Sequence, residues 1–454
     1  MKSNLIQRWK TLFAIAWPLI IANSFWNLQL TIDRIFLGEY STESLGAAMA
    51  VMGVFWVPMA LLQQTSAYIT TFVAQYFGSK QDHMIGPALW QSIYISIIGG
   101  LLFLLLMYIA EPLFSWMNHS PTLQDLEIRY FKTLCYTALP TALVAAVSGF
   151  FTGLGNTKTV IGINAVGLLV NAILDYFVIS GRHGIPAYGI EGAGIATAIA
   201  SYVSAAWGAV LILQAKFRKK YSIMNTYAWS FALAKRFLRY GLPSGLQWSL
   251  EGLAFTAFLI LIGRFENGEA ALASSGIAVT IMMLSVLPCL GVAQAVMVLV
   301  GQHLGNKKPE LAEEASWSGV QLSAMYMLLM AASFVLAPHF YITWFKNESN
   351  LGLWTEVQAI TPYLLMFVSI FTLFDSLNLN FSFALKGAGD TRFVSLMALI
   401  IPWPLMVIPT FLIRGQQGAV YWSWGFASLF VITQALIFYG RFLGGKWKHM
   451  SVIQ

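Results

Sequence analysis

Apolar runs broken by short charged or turn-rich stretches recur twelve times along the chain. They cover 11–37, 45–77, 86–110, 129–153, 160–180 and 191–214 in the first half. The second half gives 237–264, 270–303, 312–338, 358–386, 393–413 and 417–440. A helix needs about 20 apolar residues to cross the hydrocarbon core, and runs above about 25 predict tilted or protruding helices. The pattern predicts an all-α polytopic membrane protein with twelve transmembrane helices in two six-helix bundles. The expected organisation is an N-terminal lobe at 1–215, a linker at 216–236 and a C-terminal lobe at 237–454. The linker is basic, and a short amphipathic helix is compatible with it.

The two halves read as direct repeats. VAQYFGSKQ at 73–81 resembles VGQHLGNKK at 300–308, which pairs Gln75 with Gln302, Gly78 with Gly305 and Trp90 with Trp317 at a spacing of 227. GLGNTK at 153–158 matches GAGDTR at 387–392 at a spacing of 234, and Pro18 and Gly38 match Pro243 and Gly263 at 225. An even number of spans separates the copies, so both point the same way, as in transporters built from parallel repeats.

Composition agrees. Of the 454 residues 58% are hydrophobic and 10% charged, against about 25% charged in a soluble domain. The net charge of +7 does not point to nucleic acid, because Lys and Arg sit in the short breaks between apolar runs, where they report orientation. Alternating the breaks leaves only Arg34, Arg129, Lys132, Arg182, Arg264, Lys346 and Arg414 of the 26 basic residues on one side. The positive-inside rule then places both termini in the cytoplasm. The opening MKSNLIQRWK lacks a small-residue cleavage site, and the first run is expected to be retained as a span. Cys135 and Cys289 lie in apolar segments and read as buried thiols.

Against this background Asp33, Asp175, Glu251 and Asp375 stand out, each inside an apolar run. One charged side chain at mid-membrane costs about 2.5–3.5 kcal/mol on the insertion scale. Four would cost on the order of 10 kcal/mol, comparable to the stability of a whole domain. Such residues persist where they bind cations, carry protons or pair with one another. Asn164, Asn171 and Asp175 fall at i, i+7 and i+11, one face of a helix, and Gln29 and Asp33 share a face of the first span. Thr197 can add a hydroxyl, and Pro18 should bend or loosen the first helix. These are hard oxygen ligands suited to Na+ or H+, and two neighbouring carboxylates in a low dielectric can hold a proton between them. In the second half Thr372, Asp375, Asn378 and Ser382 share a face, and Gln247 precedes Glu251 by one turn. Glu251 aligns with Trp26, not with Asp33, so the halves differ in their ion chemistry. Arg34 beside Asp33, and Gly181 close after Asp175, leave open a membrane-edge role for these acids. Asn164 and Ser382 are also explained as glue between helices.

The six histidines fall near run ends or in breaks, without HExxH spacing, and no phosphate-binding GxxxxGK[ST] is present. No nucleophile–base or metal-ligand pattern argues for an enzyme, and no repeated polar filter argues for a channel. No metal beyond Na+ and no organic cofactor is expected.

The chain resembles the multidrug and toxic compound extrusion (MATE) family over nearly its whole length. The resemblance is carried by WP and TIDRIFLG in the first run, by FFTGLGNTKTV leading into NAVGLLVNAILDYFVI, by GIEGAGIATAIAS, by GQHLGNKK and by FDSLNLNFSFALKGAGDTRF. It implies two six-helix bundles that alternate between inward- and outward-facing states. It also implies export of cationic amphipathic drugs or toxins in exchange for Na+ or H+ across the cytoplasmic (inner) membrane of a bacterium. Asp33, Asn171, Asp175 and Thr197 match the family's first-lobe cation site, Glu251 and Asp375 the second-lobe acidic pair, and Pro18 the bending proline. Gln29, Asn164, Gln247 and Asn378 are then expected to line the substrate cavity, next to membrane lipid and in a monomer. Both acidic clusters are present, so the coupling ion and its lobe stay open. A flippase for a lipid-linked precursor, from the same superfamily, is the alternative; it would favour a basic cavity, whereas the charges inside these runs are almost all acidic.

Overall fold

The computed structural model describes residues 5–117, 119–346 and 351–454. Every element among them is helical. Among the described residues eleven helices are long and apolar enough to cross a membrane, and one bent pair taken as a single span makes twelve. In chain order spans 1 to 6 are Leu5–Tyr40, Thr42–Gly78, Asp82–Trp116, the bent pair Pro121–Cys135 with Ala138–Gly153, Thr157–Val178 and Gly189–Leu213. Spans 7 to 12 are Phe231–Ile262, Gly268–Gly305, Pro309–Leu336, Gly352–Ala388, Thr391–Leu412 and Ala419–Leu443. Each apolar run of the sequence corresponds to one span, and a short helix, Ala215–Lys220, lies after span 6. The first four residues of the N-terminal reading lie outside the described residues.

Span 4 differs most from its run. Its helix begins at Pro121 rather than near residue 129, and it turns by 43° between Cys135 and Ala138. The first turns carry Asp125, Glu127, Arg129 and Lys132, so mean hydropathy conceals them. Ser120 starts this helix by accepting from the Leu123 amide, with Pro121 in the first turn, where no amide donor is needed. Span 11 contains a π-helical turn at Trp403–Val407. Pro402, Pro404 and Pro409 crowd this stretch, and each removes a backbone donor from the ladder.

Large apolar side chains face outward on most spans. Leu28, Ile35, Leu102, Leu169, Leu329 and Leu436 are all exposed, as expected where lipid replaces water and each helix satisfies its own backbone. Inside, the chain forms two compact units. One comprises 21–249, 301–307 and 451–454; the other comprises 1–20, 250–300 and 308–450. The first packs around Phe72, Phe150, Phe151 and Phe237 at one place and Phe55, Phe114 and Phe131 at another. The second packs around Phe258, Phe334, Leu364 and Trp424.

The repeat reaches into backbone geometry. Lys80 and Lys307, spaced by 227, both take positive φ (59° and 55°), which is uncommon for a side chain other than glycine. Gly155 and Gly389, spaced by 234, take φ of 77° and 106° in their matching turns. Gly153 and Gly387 each place their missing Cβ 2.6 Å from a carbonyl oxygen, of Thr70 and of Met297 respectively, themselves 227 apart. Gly78 and Gly305 are reciprocal: a Cβ at Gly78 would meet the Gln302 carbonyl oxygen at 2.0 Å, and one at Gly305 the Gln75 carbonyl oxygen at 2.2 Å. Two helix ends therefore touch backbone to backbone. Gly78→Leu and Gly305→Leu should each lower stability by about 2 kcal/mol or more, read as a drop in the thermal midpoint of the detergent-solubilised protein. Gly276→Ala, with nothing within 4 Å of its added Cβ, should leave the midpoint unchanged or raise it.

Candidate cation-binding site

Helix spacing brings Asn171 and Asp175 onto one face of span 5, and packing in the first unit sets Asp33 of span 1 and Thr197 of span 6 beside them. Asn171 and Asp175 are fully buried, Asp33 is 4% exposed and Thr197 7%. Arg34 faces outward while Asp33 faces in. The link among them is the Asn171 amide. In the orientation that satisfies its neighbours its nitrogen donates to Asp33 Oδ1 at 2.9 Å and to Asp175 Oδ2 at 3.2 Å. Its other end then faces the Thr197 hydroxyl at 3.4 Å. The hydroxyl itself donates to the Ala193 carbonyl at 2.9 Å, which leaves its oxygen lone pairs for the cluster.

The two carboxyl groups come within hydrogen-bonding range of each other. That contact attracts only when a proton or cation lies in it; without one, Asp175 Oδ1 is buried and has no donor among the described residues. The arrangement supplies two carboxylates, an amide and a hydroxyl from three helices, a set of hard ligands. Tyr130 of span 4, 3% exposed, lies close enough for its phenol to feel both acids.

Other residues singled out from the sequence are less concentrated. Gln29 is partly buried one turn before Asp33. Asn164 donates to the Ala22 carbonyl at 3.4 Å, a tie between spans 5 and 1. Gln247 is buried in the same unit. Pro18 is buried inside span 1, which continues through it as helix from Leu5 to Tyr40.

The second unit holds Glu251 and Asp375 by different partners. Glu251 accepts from Gln434 Nε2 of span 12 at 2.8 Å. Asp375 accepts from Asn378 Nδ2, one turn along its own helix, at 3.0 Å. Both acids are partly buried. Thr372 and Ser382 bond to backbone carbonyls of their own helix, at Ser369 and Leu379. Asn380, fully buried, donates to Ser323 Oγ at 2.9 Å.

Sequence reading passed over Tyr130, Gln434 and Lys386. Lys386 is 2% exposed, its ammonium 3.8 Å from the centre of the Phe383 ring and within electrostatic reach of Glu251. It is a buried basic side chain inside a span, so the ionisable groups there are not solely acidic. It closes a run directly before the GAGD turn, which makes it look like a surface residue in the sequence.

The fold is that of a polytopic membrane protein with polar side chains buried in each unit. The MatE family model matches residues 18–177 and 243–412, one match in each half, and the chain belongs to that family. Among curated relatives, a probable multidrug resistance protein NorM of Shewanella oneidensis is 27% identical over 462 residues, covering 98% of this chain and 97% of that protein. One of Xylella fastidiosa is 25% identical over 395 residues, covering 86% of this chain and 82% of that protein. Among solved structures, one described as the outward-facing conformation of a multidrug resistance MATE family transporter aligns with a TM-score of 0.87 at 21% identity, covering 98% and 97% of the two chains. Another, a MATE crystallised in complex with MaL6, aligns with a TM-score of 0.86 at 21% identity over 97% of each chain. At that identity the likeness establishes the fold.

Removing the amide bridge tests the cluster. Asn171→Leu should lower stability by about 1–3 kcal/mol, because two buried acids lose their shared donor. The loss should shrink in an Asp33→Asn/Asp175→Asn background, where no acids remain to be bridged; thermal midpoints of the four proteins complete the cycle.

Proposed function

We propose that this protein exports cationic, amphipathic drugs or toxins across a bacterial cytoplasmic membrane in exchange for Na+ or H+, by alternating access. The observation that carries the proposal is the buried Asp33–Asn171–Asp175 cluster with one amide serving two acids. Two bare charges are not stable together in an apolar interior, so the pair calls for one proton or one small cation. The Asn171 amide suits both conditions. With its nitrogen toward the acids it neutralises part of their charge when the site is empty; turned over, it offers its oxygen to a Na+ held between the acids, with its nitrogen toward the Thr197 hydroxyl.

Exchange follows when the loaded cluster and a bound cationic substrate exclude one another. An inward ion gradient then drives export, and each charge moved through 100 mV of membrane potential adds about 2.3 kcal/mol. Glu251 and Asp375 are proposed as the corresponding acids of the second half, with Gln29, Asn164, Gln247 and Asn378 toward the substrate. In this reading residues 1–215 and 237–454 act as lobes joined by 216–236, both termini are cytoplasmic, lipid surrounds the spans and the working unit is a monomer. The names of the curated relatives support a multidrug cargo.

Ethidium efflux from proteoliposomes, driven by a Na+ gradient or a pH gradient alone, tests the proposal. One of the two gradients should drive efflux by the wild-type protein. Asp33→Asn and Asp375→Asn should reduce it to the level of empty liposomes while the proteins keep their elution profile. Efflux at the wild-type rate in both variants would sink the assignment.

A further inference from the structure

Beyond the cluster, one carboxylate in the first unit is fully buried and only half used. Glu127, in the second turn of span 4, has no exposed surface, and its Oε1 pairs with His119 Nδ1 at 2.7 Å. Among the described residues its Oε2 has no hydrogen-bond partner. A buried unpartnered carboxylate oxygen is destabilising and persists for a reason. His119 itself is exposed, in the break before span 4. One helical turn further in, at i+3 and so on the same face of the helix, stands Tyr130, whose phenol lies in the field of Asp33 and Asp175. His119 thus stands at the solvent end, Glu127 is enclosed, and Tyr130 on the same helix face lies in the field of the acid pair.

The other charges around Glu127 do not compete for this role. On its own helix Asp125 pairs with Arg129 at 2.9 Å and Lys132 with Glu111 at 2.8 Å, all of them solvated. From span 6, Glu191 approaches Arg129 at 4.0 Å, and it too is solvated. From span 2, Glu43 is engaged by the Ser41 hydroxyl at 2.7 Å. Arg34 is exposed next to Asp33, and Arg182 lies 3.9 Å from Glu39 near the end of span 1. Glu127 alone is enclosed.

We propose that His119 and Glu127 form a proton-binding site that connects solvent to the Asp33–Asp175 pair. The proposal rests on the reading of that pair as the ion site. A proton taken up at His119 Nε2 is matched by release of the Nδ1 proton to the Glu127 carboxylate. The resulting carboxylic acid gives its proton to the Tyr130 oxygen, directly or through a water, as the phenol gives its own to the acid pair. One proton moves inward: Glu127 returns to the carboxylate, Tyr130 to the neutral phenol and His119 to a neutral imidazole with its proton on Nε2, which proton exchange with solvent returns to Nδ1.

The test compares Glu127→Gln, His119→Gln and the double variant with wild type and Asp33→Asn. Efflux driven by a pH gradient should fall at least about tenfold in Glu127→Gln, while ethidium binding to the detergent-solubilised protein stays within about twofold. His119→Gln should flatten the dependence of the efflux rate on pH at the His119 side, and the double variant should be no slower than Glu127→Gln. Efflux by Glu127→Gln at the wild-type rate overturns the proposal. If Asp33→Asn also exports normally, the reading of the acid pair has failed, and pH-difference infrared spectra of the purified proteins decide the link itself. A protonated-carboxyl band lost in Glu127→Gln and displaced in Asp33→Asn upholds it; a band unmoved by Asp33→Asn overturns it.

Discussion

A charge inside a membrane-spanning helix bundle has no water to fall back on, and the interior of this protein is arranged around that constraint. Asp33 and Asp175 are almost completely enclosed, and the Asn171 amide is the donor they share. Removing it would leave two like charges facing each other in a medium where their repulsion is several times stronger than in water. The carboxylates can be tolerated only because the amide, a proton or a cation is always available to them. The proposed ion site thus coincides with a place where the fold itself needs a donor.

The other unit meets the same constraint by other means. Glu251 takes a donor from Gln434 on a different span and lies within electrostatic reach of a buried basic side chain, Lys386. Asp375 is served by Asn378 on its own helix. The Lys386 amine lies against the face of the Phe383 ring, which compensates its charged form in part. The two units therefore have different charge balances, acidic in one and mixed in the other. A single ion chemistry need not be duplicated.

What the halves do share is backbone. Lys80 and Lys307 share a left-handed conformation, and Gly153 and Gly387 meet a carbonyl oxygen at the same distance. These positions lie at turns and close helix crossings, where a Cβ or a different φ would force the chain apart. Interior polar positions are under no such geometric demand, since any donor of suitable reach will satisfy an acid. Duplicated scaffolds with divergent interiors follow from that difference.

The alternation of apolar runs and charged breaks determined the twelve spans, because each span must satisfy its own backbone and present an apolar surface, and both requirements are local. The spacing of Gly78 and Gly305, and of the GLGN and GAGD turns, likewise made the repeat legible. Asp33, Asn171 and Asp175 were visible as misplaced polar residues on helix faces. Tertiary structure alone decided that one amide bridges two acids from different spans, that Gln434 serves Glu251, and that Lys386 and Glu127 are enclosed. Lys386 and Glu127 sit near helix ends among other charges, where periodicity cannot distinguish a side chain facing solvent from one turned inward. Burial of such a residue depends on which neighbouring helix packs over it, and that contact is made between segments far apart in the chain.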